Sequence, residues 1–144
     1  MQRVARALFV LAVFGAGTVQ AADWRVYQAG PALELAVDAD SIVRDAEGWT
    51  VFVNQERFTE MRRDEALKIR YRIRRTEGRA DCTGYRYLFL SASYFSGSGQ
   101  PVYSQMFPLQ RYKWTWQPVY EGSVADAMMR TVCTLARNAP SKKK

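Results

Sequence analysis

The chain has 144 residues, a formal charge of +7, two cysteines and no histidine. That length accommodates one domain around one hydrophobic core, and the missing histidine removes the commonest general base and metal ligand. Five cations sit at the two ends (Arg3, Arg6, Lys142, Lys143 and Lys144), so the body carries sixteen cations against fourteen acids, too slight an excess to indicate a nucleic-acid binder.

In chain order, Arg3 and Arg6 precede an apolar run from Ala7 to Ala16 that is too short for a permanent membrane span. Val19-Gln20-Ala21 follows, with small residues where a signal peptidase reads. The expectation is a signal peptide over residues 1–21, cut after Ala21, and a periplasmic or secreted mature chain without a transmembrane segment. An uncleaved anchor is the alternative. No cysteine lies near the cut to accept a lipid. Residues 22–138 are expected to form a single domain and residues 139–144 a disordered basic tail.

Trp24 to Ala29 reads as a first strand, broken by Gly30-Pro31. Leu33, Leu35 and Val37 alternate with Glu34, Ala36 and Asp38, the pattern of a half-buried second strand. Turn residues follow at Asp40-Ser41 and Asp45–Gly48, then a β-rich third strand over Thr50 to Phe58. Thr59 to Ala66 is highly charged and reads as a loop or a short helical turn. Beyond it, Leu67, Ile69, Tyr71 and Ile73 alternate strictly with Lys68, Arg70, Arg72 and Arg74, which predicts one packed face and one solvated face. An aromatic strand over Tyr85 to Phe95, a hairpin turn at Ser96-Gly97-Ser98-Gly99 and a strand over Pro101–Met106 come next.

The last element is a helix with Ser123 as N-cap and Asp126 at its third position. Val124, Ala127, Met128, Thr131 and Leu135 are its predicted apolar stripe. The fold class is therefore α+β: a roughly six-stranded antiparallel sheet with one C-terminal helix packed on it. The even cysteine count of an exported chain predicts one disulfide, Cys82–Cys133, tying the helix to the residues before the aromatic strand. Two buried free thiols are the alternative.

No catalytic, metal or cofactor motif is present, and an enzyme is not expected. Joined cysteines leave no thiolate nucleophile. Asp38 and Asp40 have calcium-loop spacing but lack the glycine and glutamate such a loop needs, so they read as turn and strand-end residues. The sharpest candidate contact is the ridge Lys68, Arg70, Arg72 and Arg74, with Arg75 beside it. Cations repeating every ~6.8 Å along a strand face suit an acidic polysaccharide, lipopolysaccharide or an acidic protein partner. The plainer reading is an ordinary solvent face, neutralised by Glu56, Glu60, Asp64, Glu65 or Glu77. Trp114 and Trp116 can stack sugars or peptides, or belong to the core.

Three functions follow: a non-enzymatic binding domain, a carboxylate-dependent hydrolase of envelope or sugar polymers, and a structural periplasmic subunit of an envelope complex. Two close acids beside Trp116 favour the second, and an open arginine face favours the first.

Several spacings also carry a family resemblance. They are Trp24, the segment Val37-Asp38-Ala39-Asp40-Ser41-Ile42, Gly48 before a strand, Asp81-Cys82, Tyr94, Trp116-Gln117-Pro118-Val119, Gly122-Ser123-Val124 and Val132-Cys133. The chain resembles the surface-adhesin E family of Gram-negative bacteria over essentially its whole mature length. The resemblance implies a six-stranded antiparallel sheet, a C-terminal helix and a disulfide. For the namesake member it implies attachment to host matrix and plasma proteins. Of the single residues, Cys82 and Cys133 alone carry over with a definite role.

Overall fold

Eight strands and one helix make up the fold, six of the strands where hydrophobic and β-rich runs stand in the sequence. In the computed structural model, which describes residues 21–107 and 113–139, these are β1 (Trp24–Ala29), β2 (Leu33–Asp38), β3 (Val43–Arg44), β4 (Thr50–Asp64), β5 (Ile69–Asp81), β6 (Arg86–Phe95), β7 (Pro101–Met106), β8 (Gln117–Pro118) and α1 (Val124–Ala136). The expected leader up to Gln20 and the lysine tail lie outside the described residues. The strands form one sheet in the order β1-β2-β4-β5-β6-β7, with β3 beside β4 and β8 beside β6. Every pairing is antiparallel. The six-strand path is the one expected from alternation, and the two extra strands are two residues each.

β4 departs from expectation. It does not stop at Phe58 but runs on to Asp64, through the charged stretch read as a loop or helical turn. A register irregularity lies between Arg57 and Arg62, after which Arg62, Arg63 and Asp64 pair with Tyr71, Arg70 and Ile69. β2 follows β4 no further than Phe58, and β6 follows β5 no further than Ile73. Past Thr59, which still bonds to Ala32 O and Pro31 O, the end of the β4–β5 hairpin is thus a two-stranded ribbon whose strands pair with each other and with no third strand.

The helix packs on one face. Val37, Ile42, Phe52 and Ala80 of the sheet side meet Met128, Met129, Val132 and Ala136 of α1 in the main core, and Phe52, Val37, Met129 and Val132 are fully buried. The predicted stripe is rotated: Val124 is exposed, while Met129, Val132 and Ala136 point inward. Two clamps set that rotation. The disulfide Cys82–Cys133 joins the helix to the end of β5. At the other end, Ser123 Oγ accepts from Asp126 N at 3.1 Å, and the buried Asp126 carboxylate accepts from Gly122 N, Arg130 Nε and the Tyr85 hydroxyl. Those bonds, from Arg130 and Tyr85 before Gly122, hold the Asp126 carboxyl down to about 2. Tyr85 itself adopts a left-handed φ of 51°.

Phe52 reaches the core because its cross-strand partner is Gly78. A Cβ at Gly78 would meet Phe52 Cζ at 2.7 Å and Leu88 O at 2.6 Å. A second cluster, Tyr71, Ala92 and Tyr94 with Phe58, Leu67 and Ile69, packs at the root of the ribbon. Its rings form a ladder across four strands, Phe58–Tyr71–Tyr94–Tyr103, with edge-on contacts at Phe58–Tyr71 and Tyr71–Tyr94.

Candidate functional site

The ridge expected from alternation is divided. Lys68 is not in a strand; it closes the Glu65–Lys68 turn with φ 57°. Arg70 and Arg72 are exposed on β5, and Arg63 on β4 stands directly opposite Arg70. Arg74 leaves the group: it faces Glu56 and Tyr94 across the neighbouring strands and is ion-paired to Glu56. That bond raises the Arg74 pKa. The reason for the split is the partner across β4: Arg74 stands opposite Glu56 where β6 also flanks β5, whereas Arg70 stands opposite Arg63 beyond the end of β6.

The carboxylates near in sequence neutralise only part of this surface. Arg63 pairs with Glu65 at 2.7 Å, both more than half exposed, a contact worth ~0–1 kcal/mol. Among the described residues, no carboxylate lies within ion-pair distance of Lys68, Arg70, Arg72 or Arg57. Arg57 and Arg72 line one cleft of about 320 Å³ with Gly30, Glu34, Thr59 and Gly97.

Arg75 lies on the face away from the helix, one residue out of step with the buried Thr76. Its guanidinium lies over the rings of Trp24 (5.1 Å) and Phe95 (4.7 Å), and its Nε donates to Gln55 Oε1 at 2.9 Å. Sequence periodicity missed this arrangement, because its two rings come from the opposite sides of β5.

Trp114 and Trp116 gather at the far end of the sheet. Trp116 packs against Trp49 (centroids 5.0 Å apart) and Trp114 (6.1 Å), and Arg86 stacks on it at 4.9 Å. The cleft there is lined by Gly84, Tyr85, Arg86, Trp116, Pro118 and Val119, none of them a carboxylate. No group of three or more potential metal ligands occurs among the described residues. Asp38 does turn chemistry, its Oδ1 accepting from Asp40 N at 3.0 Å.

One antiparallel sheet, one C-terminal helix and a disulfide between Asp81-Cys82 and the helix are the features the resemblance implied. The family model for surface-adhesin protein E matches residues 24–134. The chain belongs to the surface-adhesin protein E family. Membership supports an adhesin-like binding role at or beyond the cell surface and speaks for a binding protein rather than an enzyme. No curated protein and no solved structure matches the chain. No helix among the described residues of this surface-adhesin E member is long and apolar enough to cross a membrane.

Proposed function

We propose that this surface-adhesin E member, cut after Ala21 and exported, is a non-enzymatic binding module that takes an acidic polysaccharide, lipopolysaccharide included, along the β4–β5 ribbon. The observation that carries the reading is the set Lys68, Arg70 and Arg72, which stands without carboxylate partners among the described residues while Arg63 faces Arg70 across the ribbon. Like charges directly opposite one another destabilise a strand pair, and an anionic ligand relieves that repulsion. Arg74 is outside the site because Glu56 already neutralises it.

The test is retention of the mature protein on heparin and on lipopolysaccharide between low and near-physiological salt. Wild type is compared with the double variant Arg70→Ala/Arg72→Ala. Counterion release makes affinity fall with salt in proportion to the charges neutralised, so the variant should show weaker retention and a shallower slope. Equal retention of the two proteins would sink the reading. Wild type that ignores both polymers but binds an acidic protein would replace the polymer with a protein partner.

A further inference from the structure

The helix-free face carries an arginine whose setting differs from that of every cation on the ribbon. Arg75 is half-buried rather than exposed. Two rings, Trp24 and Phe95, lie within cation–π distance of its guanidinium, and Gln55 takes the Nε–H. A cation packed against two rings gains cation–π energy and loses its rotamer freedom once, on folding. Gln55 is itself buried, 2 % exposed.

The two terminal nitrogens of Arg75 are in a different state. Among the described residues no acceptor reaches them, and neither is buried away from solvent. Among the described residues no carboxylate stands within ion-pair distance of the group; Asp38 attracts it only from farther away, and Arg57 adds a second positive charge nearby. Burial first, and then the Arg57 charge, pull the Arg75 pKa below its ordinary value. The fold therefore spends two aromatic rings and a buried amide on fixing one guanidinium, and leaves its outer edge of paired N–H donors facing water.

We infer that Arg75, with Arg57 beside it, is a preformed fork for a single oxyanion, a carboxylate or a sulfate, carried by an acidic sugar. The inference rests on the reading of the domain as a polyanion binder and names where one acidic group is anchored. A planar fork fixed in advance accepts two parallel hydrogen bonds from such a group with little further loss of freedom. Arg57 connects this anchor to the ribbon, since it shares its cleft with Arg72. The ribbon supplies long-range attraction, and the fork supplies geometry.

The experiment uses two probes, a heparin-derived tetrasaccharide, which bears sulfates and carboxylates, and an oligogalacturonate, which bears carboxylates alone. Affinities are measured by calorimetry at several salt concentrations for wild type, Arg75→Lys and Arg70→Ala/Arg72→Ala. Arg75→Lys keeps the net charge but removes the fork, so affinity should drop about tenfold or more with the salt slope unchanged. The ribbon variant should flatten the slope. Loss with both probes identifies the carboxylate, and loss with the heparin fragment alone identifies the sulfate. Unchanged affinity of Arg75→Lys for both probes, in a protein that does bind them, overturns the fork and leaves the ribbon reading standing. Wild type that binds neither probe overturns both. Should Arg75→Lys fail to fold, Arg57→Gln decides against Arg44→Gln, which removes the same charge from an exposed site at the other end of β4. The fork requires the first to weaken binding several-fold more than the second, and equal losses overturn it.

Discussion

The helix-covered half of the sheet and the β4–β5 ribbon are made by the same two strands, yet they are held together differently. In the covered half, Phe52 and Val37 are fully buried against Met129 and Val132, and a disulfide fixes the helix above them. In the ribbon, two strands pair only with each other, and the edge-on contacts of Tyr71 with Phe58 and Tyr94 anchor its root. Stability is concentrated where charge is scarce, and charge is left unpaired where few packing contacts depend on it. A cationic contact surface is tolerated because the core does not have to accommodate it.

Removing core volume should separate the halves most sharply. Phe52→Ala opens a cavity under the helix and should cost about 3–5 kcal/mol, read as a lowered midpoint in urea unfolding. A loss below about 1 kcal/mol would mean that the covered half is not the seat of stability. Next comes the cross-link. Cys133→Ser should cost about 2–5 kcal/mol, and non-reducing mass spectrometry of wild type should show a mass two hydrogens below the dithiol.

A third effect is confined to acid. The Asp126 carboxyl is held at about 2 against an ordinary 3.8, so its folded form binds protons less readily than its unfolded form. The stabilisation is present above about pH 4 and is lost as pH falls toward 2. Thermal melts of wild type should drop through that window, and Asp126→Asn should start lower and lose less over the same range. Parallel curves would remove the clamp from the account.

The smallest effects belong to the ribbon. Arg70→Ala and Arg72→Ala should each change stability by no more than about 0.5 kcal/mol. Arg74→Ala, which leaves the mostly buried Glu56 without its partner, should cost about 1–3 kcal/mol. Equal costs for the three would show that one continuous ridge exists after all.

Much of the covered half was legible. β1, β2 and β7 have the limits the sequence predicts, because turn residues mark their ends, Gly30-Pro31 between β1 and β2 and Ser96-Gly97-Ser98-Gly99 before β7. The Ser123 cap was legible for the same kind of reason: its hydrogen bond is local. The ribbon was not. Thr59 to Asp64 carries no apolar alternation, since solvent lies on both of its sides, so nothing marks it as a strand. The neutralisation of Arg74 depends on Glu56 standing opposite it on β4, which no period along its own strand reports. The helix stripe was legible in part, Met128 and Leu135 reaching the core, but its rotation toward Met129, Val132 and Ala136 goes with contacts to Tyr85 and Cys82, remote in sequence. The stack on Arg75 draws Trp24 from the other end of the domain.

The close fit of Phe52 over Gly78 has a consequence for how the two longest strands find each other. A slip of one residue between β4 and β5 would turn every side chain to the wrong face. A slip of two keeps the faces and is the harder error to exclude by hydrophobicity. It would set Phe52 opposite Thr76 or Ala80 in place of Gly78. Gly78 is the sole glycine in β5, and even a single Cβ there collides with the Phe52 ring. One missing side chain thus acts as a key for alignment, admitting the ring in a single register and rejecting its nearest imitations by steric overlap.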